Sequence, residues 1–135
     1  MNMGNATVEA PQAVRGCLAF VGALSGGDLD GATACFTRDG CLITPDATAV
    51  YGRERIRPLL AQLIARGTEI EIEVSNVVTA GEVVLANERW RVCSGAQGEV
   101  PRIEQTLNPT LVLRLVEGEW KLAIAAPWGW GRPWP

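Results

Sequence analysis

Apolar residues recur at Val14, Cys17, Leu18, Val21 and Leu24, the spacing that lines one face of an amphipathic helix. Gly26 and Gly27 follow, and glycine readily takes the left-handed conformation that closes a helix. Asp28 stands where an N-cap is needed, and Leu29, Ala32, Cys35 and Phe36 form a second, shorter helical face. Arg38-Asp39-Gly40 reads as a turn. Cys41 to Thr44 and Thr48 to Tyr51 read as two short extended pieces around Pro45-Asp46, able to pair as a small hairpin. A third helix is predicted from Arg53 to about Arg66, with Ile56, Leu59, Leu60, Leu63 and Ile64 on one side and Gly67 as its stop. Pro58 lies a turn inside it and removes one backbone hydrogen bond.

After Gly67 the period changes from 3.6 to 2. Glu69, Glu71 and Glu73 alternate with Ile70, Ile72 and Val74, the signature of a strand wet on one side and packed on the other. Ala80-Gly81 turns the chain into a long strand over 83–92, and Ser94 to Gly98 forms a polar loop. Further strands over 103–116 and 120–126 complete a four-strand run, the last two joined by Glu117-Gly118. Helices first and a meander of long strands afterwards predict an α+β domain. Residues 1–8 and 130–135 read as loosely ordered tails.

A chain of 135 residues suits one domain, and 47% hydrophobic with 20% charged residues is a globular balance. No stretch reaches the roughly 20 apolar residues of a membrane span. The N-terminal segment lacks the charged start and apolar run of a secretory signal, which predicts a cytoplasmic protein with no membrane partner. A net charge of −3 supplies no field for steering onto a phosphate backbone, so nucleic acid is not expected as a partner. Cys17, Cys35, Cys41 and Cys93 form no C-x-x-C pair and no histidine accompanies them, so free thiols are expected and a metal site is not. The lack of histidine also excludes Ser-His-Asp and Cys-His machinery. Arg53, Arg55 and Arg57 read as a solvated helix face.

Four segments carry a family resemblance: Leu24 to Gly40, Val50 to Leu60, Val83 to Val92, and Gly118 to Gly129 with its GEWKLAIAAPWG. Their order resembles the nuclear-transport-factor-2-like, or SnoaL-like, superfamily. The last segment most resembles small proteins encoded in enediyne and other polyketide clusters. The resemblance implies a cone-shaped, curved antiparallel sheet wrapped around the N-terminal helices, an apolar pocket at its wide end, no cofactor, and a homodimer through the outer sheet face.

Known reactions of the superfamily need acids that this chain lacks. Where ketosteroid isomerase carries its base before a proline and its neutral acid, alignment gives Thr44 and Leu111. Where limonene epoxide hydrolase carries E-R-x-D and a later Asp, the chain has Glu88-Arg89-Trp90-Arg91 and Ala125 or Ala126. Both activities are therefore disfavoured, and no catalytic residue is assigned. The hydrolase likeness turns Asn87 and Arg89 inward, where they could hold a ligand oxygen. The bulk of Trp90 beside Ala86 argues for the opposite face.

Tyr51, Asn87, Arg89 and Trp128 are the candidate ligand-contacting residues. Tyr51 is the only tyrosine, and Asp39 and Asp46 sit at turn positions that aspartate favours. Trp120 and Trp128 also read as core, with Trp130 and Trp134 covering the pocket or a partner subunit. Three readings stand side by side. The chain helps fold or cyclise a hydrophobic polyketide-like molecule, with a polyketide synthase as the implied partner; it binds such a molecule without turnover; or it is a dimeric scaffold with a vestigial pocket.

Overall fold

The computed structural model describes residues 4–94 and 103–128, with side chains from Gln12 onward. Helices α1 (Gly4–Ser25), α2 (Leu29–Ala34) and α3 (Arg53–Ala65) accompany strands β1 (Phe36–Ile43), β2 (Ala49–Tyr51), β3 (Glu69–Ala80), β4 (Val83–Ser94), β5 (Ile103–Leu107), β6 (Thr110–Val116) and β7 (Glu119–Ala126). The strands form one seven-stranded sheet in the order β2-β1-β7-β6-β4-β3, with β5 also on β4. The α+β expectation holds, with one addition: β1 runs parallel to β7, whereas the other pairs are antiparallel.

The sheet curls around α1. Ala13, Cys17, Phe20, Val21 and Leu24 form the buried face of that helix, while Leu18, expected inside, is 47% exposed. The buried stripe is rotated toward Phe20, whose ring meets Phe36 edge-on at 5.4 Å and Trp90 at 6.3 Å. Such aromatic pairs add about 0.5–1.5 kcal/mol beyond their area burial. At Gly16 an added Cβ would lie 3.0 Å from both Leu113 Cδ2 and the Trp120 carbonyl oxygen, so glycine lets the helix approach the sheet here.

Several boundaries differ from the sequence reading. Helix α1 starts at Gly4, inside the segment read as loose, because a helix anchored by its packed half extends through residues that bring no apolar stripe. Asp28 caps α2, accepting from the Gly31 amide at 2.9 Å, but the helix stops at Ala34 and Phe36 opens β1. Arg38-Asp39-Gly40 is a register irregularity within β1 rather than a turn. Arg53 is not a solvated residue: Nε donates to the Phe36 carbonyl at 3.0 Å, tying the start of α3 to β1. Arg57 pairs with Asp30 at 2.6 Å, and both are exposed.

The segment read as one strand over 103–116 breaks at Asn108-Pro109 into β5 and β6. Proline has no amide hydrogen for the ladder, and the partner strand bends where this corner forms. The first half of β4 thus pairs with β6 and its second half with β5. At the junction the Glu88 amide donates to the Pro109 carbonyl at 3.0 Å. Across the strand, Ser75 interrupts the β3 register and its hydroxyl donates to the Asn87 carbonyl at 2.9 Å. The β6–β7 hairpin closes on Glu117 and Gly118, both at positive φ (50° and 81°), matching the strands' right-handed twist. No described helix is long and apolar enough to cross a membrane.

Candidate functional site at the wide end of the cone

Strand β4 decides what faces the interior. Val84, Ala86, Glu88, Trp90 and Val92 are buried, while Arg89 and Arg91 are exposed and Asn87 is half-buried. The inward placement of Asn87 and Arg89 is therefore reversed. The apolar count along the whole strand explains it: the buried set has four apolar members and one polar, Glu88, whereas burying the other set would bury two guanidinium groups. Arg91 spends its charge on the convex surface, on Glu104 at 2.7 Å and Glu71 at 3.2 Å. Arg89 lies opposite Glu73 on the same face. Asn87 accepts through Oδ1 from the Thr110 hydroxyl at 3.1 Å, a bond between β4 and β6.

Glu88 is 2% exposed and has no cation beside it. The Trp90 indole donates to its Oε1 at 2.6 Å, while Oε2 has no hydrogen-bond partner among the described residues. Burial raises the Glu88 carboxyl above the ordinary glutamate range, opposed in part by contacts with Cys17 and Trp90. Burial, with the Glu88 charge beside it, likewise raises the Cys17 thiol far above its usual value, so this cysteine is not a poised nucleophile. Sequence reasoning placed Glu88 on the non-ligand face and missed it. Its signal was a lone acid in an otherwise apolar alternate set.

Most of the hollow that the resemblance implied is filled by Phe20, Phe36, Trp90, Leu111 and Leu113. What remains is a cavity of about 40 Å³ at the wide end, walled by Leu63, Ile70, Trp90, Val92, Leu107 and Trp128, with Arg66, Thr68 and Gln105 as polar lining. That is room for a few waters. A second compartment of about 170 Å³ adjoins it, lined by Thr44, Pro45, Leu59, Gln62, Leu63, Arg66 and Trp128. Leu63, Arg66 and Trp128 belong to both, so half-buried Trp128 stands between them. Larger grooves of about 500 and 570 Å³ lie elsewhere, but Arg15, Glu119 and Lys121 line the first, and four cations with three acids line the second. Ala19, Cys35 and Trp120 also line the first, but charged residues interrupt the walls of both grooves.

Residues 18–122 of this fold match the SnoaL-like domain. The chain belongs to the SnoaL-like family. Among solved structures, a nuclear-transport-factor-2-like protein from Streptomyces avermitilis superposes with a TM-score of 0.78 at 19% identity, covering 90% of this chain and 97% of the other. A ketosteroid isomerase-like protein from Erwinia carotovora atroseptica gives 0.75 at 17% identity over 86% and 92%. A cystatin-like-fold protein from Novosphingobium aromaticivorans gives 0.76 at 14% over 90% and 82%. At such identities the likeness concerns the fold. The curated proteins contain no match.

Within this SnoaL-like frame, the positions that resemblance singled out are scattered. Thr44 lines the outer compartment, and its hydroxyl donates to Asp46. Leu111, Ala125 and Ala126 are buried among apolar neighbours. Tyr51 is 63% exposed on the short edge strand, across from Cys41 and away from both compartments. Of the four candidate ligand residues, only Trp128 lines the wide-end site, beside Arg66, Thr68 and Gln105, which the sequence reading did not single out. Asp46 sits in an exposed loop where Thr44 and Thr48 hydroxyls hold its carboxyl below the usual range, and Asp39 lies 4.0 Å from Arg114 on the surface. Trp120 is core, as expected, although its indole nitrogen is buried without a hydrogen-bond partner among the described residues. Trp130, Trp134 and the 94–98 loop beyond Ser94 fall outside the described residues.

Proposed function

We propose that this SnoaL-like protein binds a compact, largely apolar small molecule at the wide end of the cone, of the polyketide-like kind, and holds or presents it without turnover. The observation that carries the reading is the pair of adjoining compartments with Trp90, Trp128 and aliphatic walls. Small-molecule pockets usually run to roughly 300–1,000 Å³, so a ligand occupying both compartments displaces the Trp128 indole between them. Holding fits better than cyclisation because Glu88, the one buried acid among the described residues, is hydrogen-bonded by Trp90 and lines neither compartment. The described lining offers no carboxylate or imidazole to take a proton.

The neutral fluorophore N-phenyl-1-naphthylamine tests this. Saturable binding, one per chain, should shift the indole N–H signals of Trp90 and Trp128 out of five tryptophans, with the Trp128→Phe variant assigning one of them. Absence of saturation, or shifts confined to other tryptophans, would remove the reading in favour of a scaffold. The same proposal takes the protein as a homodimer through its convex sheet face, a part that a monomer mass in sedimentation equilibrium would remove.

A further inference from the structure

Arg66 is the one charged residue in the lining of either compartment, and it belongs to both. It is exposed, and the rest of the lining is apolar apart from Thr44, Gln62, Thr68 and Gln105. No described carboxylate pairs with it. Asp46, the acid next to lining residue Pro45, is engaged by the Thr44 and Thr48 hydroxyls in its own loop. Glu88 is behind Trp90.

An arginine at the end of a helix often serves the helix itself, through its last carbonyl groups and the macrodipole. Here two carbonyls at the end of α3, those of Leu63 and Ile64, already have donors. The Arg66 amide reaches the Leu63 carbonyl at 3.3 Å, the Gly67 amide reaches Ile64 at 3.0 Å, and the Thr68 hydroxyl donates to Leu63 at 2.6 Å. No hydrogen bond or ion pair among the described residues engages the guanidinium. With the hydroxyls of Thr44 and Thr68 and the Trp90 indole already donating elsewhere, the side-chain donors left in the lining are Arg66, the Trp128 indole and the amides of Gln62 and Gln105.

We infer that the wide-end site selects an organic monoanion, an apolar body bearing one carboxylate, with the body between Trp90 and Trp128 and the carboxylate on Arg66. The inference rests on the binding reading above and narrows its ligand class. One cation amid apolar walls matches one negative charge, and the planar guanidinium fork matches a carboxylate in two parallel hydrogen bonds. A phosphate or a polyanion would meet too few cations here.

A matched pair of probes separates this inference from the reading beneath it. 2-Naphthoate and the isosteric neutral 2-naphthamide are titrated by calorimetry into the wild-type chain, Arg66→Gln and Arg66→Lys. The wild type should prefer the acid by about tenfold, as for a charge-assisted contact open to solvent. Arg66→Gln should abolish that preference by costing the acid far more affinity than the amide, and residual amide binding shows that the pocket is intact. Arg66→Lys should retain part of it, and added salt should reduce it. Equal affinity of the wild type for both probes, or a preference that survives in Arg66→Gln, overturns the inference and leaves the apolar pocket standing. Failure of both probes to bind the wild type overturns the pocket reading and this inference together.

Discussion

The two faces of strand β4 carry the same kinds of side chain to opposite ends. On the convex face Arg91 meets Glu71 and Glu104 in water, with every partner at least half exposed. On the concave face Glu88 is buried beside Cys17, with a tryptophan N–H on Oε1 and no hydrogen-bond partner for Oε2 among the described residues. The comparison teaches that the visible ion pairs are the cheap ones. Exposed pairs exchange water for each other at little gain, whereas a buried carboxyl without a countercharge changes the energy of the fold with every change in its protonation.

The largest effect that sharpens this contrast is Trp90→Ala. It removes a core indole 2% exposed and also its 2.6 Å hydrogen bond to Glu88 Oε1, and is expected to cost about 3–5 kcal/mol in urea or thermal unfolding. A cost near that of an exposed substitution would mean that this wall does not hold the core together.

The second effect is smaller and has a definite sign. The Glu88 pKa is raised by burial, so the folded state binds its proton more tightly than the unfolded chain does. Its contribution to stability is present in full below the unfolded value, near 4.5, and is lost as pH rises through the folded value. Glu88→Gln keeps an acceptor for Trp90 and removes the titration. The variant is therefore expected to gain on the wild type as pH rises across that window. The difference between the two chains cancels groups such as Asp46, whose lowered pKa gives the opposite slope. Parallel curves of midpoint against pH would show that the buried carboxyl is not energetically distinct. The smallest effect belongs to Arg91→Ala, which should leave the unfolding midpoint within experimental error despite removing two ion pairs; a clear loss would reverse the comparison.

Much of the fold was legible. The switch in period at Gly67, the cap at Asp28 and the Glu117-Gly118 turn are local signals, and local signals act through the few residues that carry them. The errors lie where nonlocal partners intervene. Phe36 scans as the end of a helix, but its place beside Leu122 makes it the start of a strand. Leu18 belongs to an apolar stripe by spacing, yet the curl of the sheet turns the packed face toward Phe20. The site was less legible than the fold. Trp128 was named from its sequence surroundings and does line the compartments, whereas Tyr51 and Arg89 do not. Arg66 reads in sequence as the last residue of a helix; only the chain's return at Trp128 gives it apolar surroundings and a reason to hold a ligand.

By itself, the sequence determined that there are helices followed by strands, roughly where each begins, and that the strands have one wet and one packed side. Alternation defines two faces but does not label them when both contain polar residues. The apolar count along β4 favours one label, and packing of Ala86 and Trp90 in one core with Cys17 and Phe20 of α1 realises it, with Glu88 inside and the arginines outside. The tertiary structure decides this because burial is a property of a side chain's distant neighbours, and those neighbours are set only when the sheet has closed around the helix.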